Sequence, residues 1–327
     1  SKVYKYHMKI LAVQNRMGIG DTVIFLPFIK ALYKKYNSPI SLLVKESSKA
    51  DQYLSETKYI DKIIILERDQ KNNNRHDGFL GSFNLIKDLR ACNFDKIFIF
   101  NSSLRFNLIA KFSNIPEVFQ YPLFNKNKQH IVNTPKKFMK DKLNIDFFDD
   151  PEIHVDSKLV AETSKKFLIN KEESNVLLGI GGSGPTKRIP ANIFLKFMAE
   201  LIKKKKCKFF LATGKNIDEQ KILNKILNSE MKKFCIPLDN LSIKEILPII
   251  KNCDISICND TGFSHLSAAL GIETITLMAD TPLIYGNYSS KMTPIIPDGE
   301  IDVSHDTLGK DRINPEKVLK KIIEIIG

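Results

Sequence analysis

The 327-residue sequence has no Cys-x-x-Cys pair among its five cysteines (Cys92, Cys207, Cys235, Cys253, Cys258). That odd, unpaired set argues against a disulfide framework or a structural zinc site. Four of the five lie in or beside apolar strand-like runs, which fits small core residues in a reducing compartment. No apolar run approaches the roughly 20 residues that a membrane-spanning helix needs. No Asp-x-Asp or His-x-x-His grouping argues for a metal site, so no metal ligand is expected. There is neither a repeat of fixed period nor a low-complexity tract. The opening "SKVYKYHMKILAVQ" has an apolar run too short for a signal peptide and reads as a first strand. These absences leave a globular protein, expected in the cytoplasm. Its 43% hydrophobic and 27% charged residues fit that class.

What is present in excess is positive charge. The formal net charge is +13, and it is unevenly spread. Residues 1–150 carry 25 Lys/Arg against 15 Asp/Glu, whereas 151–327 carry 25 against 22. Such a bias suits an anionic partner for the first half, or simple solubility. The run "KKKKCK" at 203–208 reads as a solvated helix end.

Apolar runs alternate with amphipathic ones. Strands are expected at 9–14, 40–45, 62–66 and 95–100, with helices at 21–36, 46–54, 80–92 and 102–113. Pro27 should bend or delay the first helix. The pattern then restarts. Strands are expected at 175–180, 208–213, 254–258 and 273–278, with helices at 190–204, 217–228, 242–251, 262–270 and 315–326. Alternation of this kind predicts parallel sheets covered on both faces. The restart predicts two α/β domains, 1–155 and 156–327, with 114–156 as the end of the first plus a linker.

In open parallel sheets, ligands bind beyond the C-terminal ends of the strands, so the residues after each strand carry the functional reading. After the first strand comes "NRMGIGD", where Gly18 and Gly20 permit a tight turn and Asp21 is a candidate N-cap. The expected third glycine of a dinucleotide fingerprint is replaced by Val23. After 175–180 comes "GIGGSGPTKRIP", a loop with Ser183 that ends in Lys187 and Arg188 and suits phosphate. It spells Gly-x-Gly-x-x-Gly, but Pro185 and Pro190 push the helix start to about 190, too late for a dinucleotide motif. "TGKNIDEQ" follows 208–213. Its Asp218 and Glu219 are either first-turn charges favoured by the helix dipole or partners of a sugar hydroxyl. Last comes "NDTGFSHLSAALG" at 259–271. Asn259, Asp260 and Thr261 are placed to cap a helix whose N-terminus would present free N–H groups to an anion. Thr261, Gly262 and His265 add a hydroxyl, close backbone approach and an imidazole.

"NDTGFSHLSAALG" resembles the donor-binding signature of glycosyltransferase family 9, the ADP-heptose:lipopolysaccharide heptosyltransferases. "MGIGDTVIFLPFIKAL" (17–32), "GPTKRIP" (184–190) and "DRINPEKVLKKI" (311–322) resemble further segments of that family, in the same order. Ile189 stands where the family often has an aromatic. The resemblance implies a GT-B fold: two Rossmann-like, doubly wound domains facing across a cleft. The N-terminal domain would bind the acceptor and the C-terminal one the nucleotide sugar. It implies inverting, metal-independent transfer of a heptose or related sugar from an ADP-sugar to a lipopolysaccharide core or other anionic glycan, with no cofactor. Asp21 matches the family's proposed general base. Lys187 matches a lysine on the donor phosphate. Asp260, Thr261, Gly262 and His265 match residues around the diphosphate, and Asp218 or Glu219 falls where the family places a carboxylate near the donor. The basic first half fits an anionic acceptor, with room for peripheral contact at the inner membrane surface and no nucleic acid.

Two other readings stay open at this point: an NAD(P)-dependent oxidoreductase with Rossmann-like domains, and a basic, non-catalytic membrane- or nucleic-acid-binding protein.

Overall fold

A computed structural model of the chain describes residues 7–68, 74–125 and 129–327. The start of the opening stretch (1–6) and three residues of the expected linker (126–128) lie outside the described residues. The chain divides into two compact units, Ser1–Pro151 and Glu152–Gly327.

Unit one runs β1 (Ile10–Val13), α1 (Ile19–Tyr36), β2 (Ile40–Lys45), α2 (Ala50–Tyr53), β3 (Ile60–Leu66), α3 (Gly78–Cys92), β4 (Lys96–Ile99), α4 (Leu104–Phe112), β5 (Glu117–Gln120) and α5 (Asn133–Leu143). Its five strands pair in the order β3-β2-β1-β4-β5, all parallel. The central strands β1 and β4 are buried at every position. That is what a strand covered by helices on both faces requires. Leu11, Val13, Leu43, Ile97 and Ile99 pack with Leu85 and Leu89 of α3 and Phe106 and Ile109 of α4 in one core.

Unit two runs α6 (Ser157–Lys166), β6 (Ser174–Gly179), α7 (Ala191–Lys204), β7 (Cys207–Ala212), α8 (Ile217–Leu227), β8 (Cys235–Pro237), α9 (Ile243–Lys251), β9 (Ile255–Asn259), α10 (Gly262–Ala269), β10 (Thr274–Leu277), β11 (Met292–Ile295) and α11 (Pro315–Ile326). Its parallel sheet has the order β11-β10-β9-β6-β7-β8. Its core joins Val176, Leu178, Phe209, Leu211, Ile255 and Ile257 to Phe194 and Phe197 of α7 and Val318 and Ile322 of α11. Cys207, Cys253 and Cys258 are buried, and all five thiols are free.

The structure departs from the sequence reading in several places. Helix α6 was not expected, and it buries only Thr163. The expected helix 46–54 is a 3-10 turn, Glu46–Ser48, followed by the four-residue α2. The segment 114–156 is not simply a linker: it forms β5 and α5. Both are hard to see locally, because β5 has four residues and the Lys-rich α5 buries only Pro135, Phe138 and Met139. The helix after β1 starts at Ile19 and runs through Pro27, rather than starting at Asp21. Edge strands β8 and β11, of three and four residues, were too short to carry a period.

Both sheets reverse strand order once, between β1 and β4 in unit one and between β9 and β6 in unit two. At such a point successive crossovers leave toward opposite edges, and the strand ends open a crevice. The segments after β1, β6 and β9 therefore flank the two places where an open α/β sheet binds ligands.

Candidate active site

In unit two the crevice is organised by Glu219. Its carboxylate accepts from the Gly214 N–H at 2.8 Å, the Gly182 N–H at 3.1 Å, the Thr213 hydroxyl at 3.2 Å and the Asn216 side-chain amide at 2.6 Å. Asn216 is the N-cap of α8 and returns the bond by accepting from the Glu219 N–H at 2.8 Å. The loops after β6 and β7 are thereby tied to one buried carboxylate. The approach is close enough to demand glycine. A Cβ on Gly181 would lie 2.1 Å from one Glu219 oxygen, and a Cβ on Gly214 would lie 2.6 Å from the other. Asp218, one residue earlier, is 67% exposed and sits 3.7 Å from the Arg188 guanidinium. Of two adjacent acids that read alike in sequence, one builds the loop and the other faces solvent.

Arg188 finishes the same loop. Its Nε donates to the Gly182 carbonyl at 2.6 Å and its Nη2 to the Ser183 carbonyl at 3.3 Å. Ser183 itself is exposed. The loop passes through a single 3-10 turn, Pro185–Lys187, and α7 begins only at Ala191. The literal Gly-x-Gly-x-x-Gly therefore opens no helix, which removes the structural basis for a dinucleotide fingerprint.

Beside this loop stands the start of α10. Thr261 occupies the N-cap position but makes no side-chain cap bond, so it does not cap the helix as the sequence suggested. Its Oγ1 is buried without a hydrogen-bond partner, as is Asn259 Oδ1. The Asn259 amide instead donates to the Gly181 carbonyl at 3.0 Å, fixing the β9 end to the β6 loop. An uncapped helix N-terminus with a buried, unpartnered hydroxyl is a site for an anion's oxygens.

Asp260 points the other way, into a buried charge cluster. Its Oδ2 lies 3.5 Å from Lys187 Nζ, and its Oδ1 lies 3.6 Å from His265 Nε2. Burial by itself would raise the Asp260 carboxyl. His265 and the Lys187 ammonium outweigh that and hold it below the usual carboxylate range. The other ring nitrogen of His265, Nδ1, is 2.7 Å from the Tyr288 hydroxyl, and the two rings lie nearly parallel. Burial, aided by the Asp260 charge, pushes the Tyr288 phenol well above its ordinary value, so it stays a neutral hydroxyl. Sequence reasoning missed Tyr288. It lies 23 residues from His265 and carries no local motif.

In unit one, Gly18 is the N-cap of α1 with a φ of 97°, and Asp21 lies in the first turn. The reading of Asp21 as an N-cap is therefore corrected: the left-handed cap position goes to the glycine that can adopt it. Asp21 Oδ1 is 3.7 Å from Arg16 Nη1. Asp21 borders a hollow of about 40 Å³ with Gln14, Arg16, Phe100, Tyr121 and His130. That is enough for one or two small polar groups. Burial raises the Tyr121 phenol, only partly offset by Arg16.

The description "Glycosyltransferase family 9 (heptosyltransferase)" belongs to a family model that matches residues 82–300, most of the chain. The chain belongs to glycosyltransferase family 9. A lipopolysaccharide heptosyltransferase 1 from Campylobacter coli is 24% identical over 98% of this chain and 99% of its own length. Among solved structures, the E. coli ADP-heptose lps heptosyltransferase II superposes with a TM-score of 0.74 at 19% identity, covering 98% of each chain. E. coli heptosyltransferase WaaC with ADP superposes with a TM-score of 0.71 at 14% identity, covering 97% of this chain and 99% of that one. The fold is thus GT-B, and this family-9 chain is a glycosyltransferase. Neither the oxidoreductase reading nor the non-catalytic one finds support.

The Glu219 geometry makes a separable prediction. Glu219→Gln puts an NH₂ group against donors that now meet a carboxylate. It should lower unfolding stability by about 1–3 kcal/mol, the scale for leaving buried polar groups poorly paired. Urea titration followed by circular dichroism measures this. A carboxylate that served only a ligand would leave stability unchanged and reduce ligand affinity alone.

Proposed function

We propose that this family-9 enzyme transfers a heptose or related sugar from an ADP-sugar to a lipopolysaccharide core or comparable anionic glycan, with inversion and without a metal ion. The observation that carries the reading is the β9–α10 junction: an uncapped helix N-terminus, a buried unpartnered Thr261 hydroxyl and Lys187 alongside, all at the strand-order reversal. This grouping suits a nucleoside diphosphate. The E. coli structure of the same fold was solved with ADP, and the Campylobacter coli relative is named for lipopolysaccharide heptose transfer. The first supports an ADP-sugar donor and the second a lipopolysaccharide acceptor.

In this reading the diphosphate binds against the α10 N-terminus. Thr261 donates its hydroxyl, Gly262 permits close backbone approach, and Lys187 turns from Asp260 toward phosphate. Asp260 and Tyr288 hold His265 in place, and Asp218 is the exposed carboxylate available to the donor. Gly18 at the N-cap makes the turn and Gly20 sits in the first turn of α1, next to Asp21, which faces an acceptor hydroxyl. As the acceptor oxygen attacks the anomeric carbon, the Asp21 carboxylate takes its proton and the bond from that carbon to the diphosphate oxygen breaks. Negative charge grows on the departing ADP, and the helix dipole and Lys187 stabilise it. Among the described residues no helix is long and apolar enough to cross a membrane. We place the reaction in the cytoplasm, with the enzyme in peripheral contact with an anionic membrane surface.

Thermal-shift titration tests the donor. ADP at 100 times its dissociation constant should stabilise the protein by about 2.7 kcal/mol, and UDP, GDP and NAD by less at equal concentration. Equal stabilisation by UDP would remove the adenine assignment. In the same assay Lys187→Ala should weaken ADP about 10- to 100-fold, the range for a charged hydrogen bond to phosphate.

Turnover should survive EDTA. The expectation rests on Lys187 and the α10 N-terminus supplying the charge that a divalent ion would otherwise provide. Activity lost on chelation and restored by Mg²⁺ or Mn²⁺ would overturn it.

Asp21→Asn separates chemistry from structure. Because Gly18 is the cap, the substitution removes a first-turn charge and its half-exposed ion pair with Arg16, costing about 0.3–1 kcal/mol. The variant should fold, bind ADP normally and transfer sugar at least about 100-fold more slowly, since an amide takes no proton at neutral pH. Turnover above a third of the wild-type rate, with chemistry limiting, would make Asp21 structural.

A further inference from the structure

Large hydrophobic side chains that face solvent are concentrated on one pair of helices. Among the described residues fourteen are exposed, and six of these lie on α3 and α4: Phe79, Leu80, Phe83, Leu104, Leu108 and Phe112. Each is between 43% and 78% exposed. Their spacing is helical. Phe79 and Phe83 are one turn apart on α3, with ring centroids 5.1 Å apart and planes at 87°. Leu104, Leu108 and Phe112 recur every four residues on α4. The opposite faces of these helices are already used, because Leu85, Leu89, Phe106 and Ile109 fill the core of unit one. The outer stripe is therefore surplus to folding.

The two stripes form one surface. Arg105 near the start of α4 donates to the Ser82 hydroxyl at 2.9 Å and to the His76 carbonyl at 2.7 Å, at the start of α3. Arg90 near the end of α3 donates to the Phe112 carbonyl at 2.7 Å, at the end of α4. The helices thus run side by side in the same direction. Lys87, Arg90, Arg105 and Lys111 stand on them against one acid, Asp88, which is itself held by Arg75 and His76. An apolar stripe edged by cations is the pattern of a helix lying in a membrane interface. A second copy is a poor fit, because a two-fold contact would set this positive face against itself.

The position matters as well. Parallel strands carry every helix start to the C-terminal edge of the sheet. The first turns of α3 and α4, with Phe79, Leu80 and Leu104, therefore stand at the same edge of unit one as Asp21.

We propose that the α3–α4 face is the surface on which the enzyme docks to an anionic phospholipid bilayer, with the aromatic end of α3 inserted among the headgroups. The docked enzyme holds the sheet edge bearing Asp21 close to the bilayer. The inference rests on the peripheral membrane contact proposed above and concerns a face that takes no part in nucleotide binding, so its test reads lipid binding alone and leaves the ADP-sugar reading to its own titration.

The test is co-sedimentation of the full chain with vesicles of phosphatidylcholine, or of phosphatidylcholine mixed with phosphatidylglycerol. The wild type should bind the mixed vesicles, bind the neutral ones at least tenfold more weakly, and release as salt is raised. The triple variant Phe79→Ser/Leu80→Ser/Phe83→Ser should lose at least tenfold in partitioning. Lys87→Glu/Lys111→Glu should also lose at least tenfold, since each cation near an anionic surface contributes roughly fivefold. All five positions are exposed, so an unchanged melting temperature confirms folding. Ile301→Ser, a fully exposed apolar residue of unit two, should bind like the wild type. The proposal is overturned by failure to bind mixed vesicles, or by undiminished binding of the triple variant. Equal loss in Ile301→Ser, or a wild-type dimer that the triple variant dissolves in sedimentation velocity, would overturn it as well.

Discussion

The crevice of unit two depends on one buried carboxylate meeting two glycine loops. Glu219 is 7% exposed and accepts from two backbone N–H groups, a hydroxyl and an amide. A carboxylate taken from water is costly unless its lone pairs are used, and here they are. The arrangement is mutually constraining. The carboxylate needs N–H groups at close range, and only residues without a Cβ let the chains at 181 and 214 come so near. The loop after β6, and with it Lys187, is held at the α10 N-terminus by residues that need never touch a ligand.

Asp260 repeats the principle with charge. A buried carboxylate between a lysine and a histidine is weak support for stability, because desolvation offsets most of the attraction. It is good support for position. Asp260 fixes His265 from one side while Tyr288 holds it from the other. The ion pair with Lys187 is 3.5 Å long, not a close hydrogen bond, so an arriving phosphate can compete for that ammonium. The folded site thus has its cations partly engaged before any anion binds, which limits the repulsion of leaving them bare.

Most strands and helices were legible because parallel sheets write continuous apolar runs, as ILAV, NVLLG and ISICN show. The placement of candidate residues followed from one topological rule, that ligands sit at strand C-termini. What stayed hidden was what sequence neighbours cannot report. Asp218 and Glu219 are indistinguishable as first-turn acids, and only the packing of a loop 37 residues away assigns Glu219 inward. The Thr261 hydroxyl looked like a cap because Thr is a common cap residue, yet the local backbone leaves it unbonded. Asp21 looked like a cap because a helix visibly begins there. Gly18, at positive φ, takes that position, and Asp21 sits in the first turn beside Arg16. Tyr288 and the exposed stripe of α3 and α4 emerge only from tertiary proximity.

The uneven charge of the chain fits the two kinds of recognition proposed for it. Unit two handles charge locally: one helix end, Lys187, and a carboxylate that orients its neighbours. A field of surface lysines would add little there, since screening removes most of it beyond about 10 Å. Unit one holds the larger excess, 25 basic against 15 acidic residues in 1–150. There several pairs, such as Arg16–Asp21 at 3.7 Å and Lys137–Asp141, are exposed or half-exposed and individually weak. Weak pairs leave a diffuse positive potential largely intact, and a diffuse potential acts on extended anionic surfaces rather than on a single phosphate. The precise site and the broad field therefore sit on different sheets, because a ligand with two phosphates and a surface with many charges ask for different electrostatics.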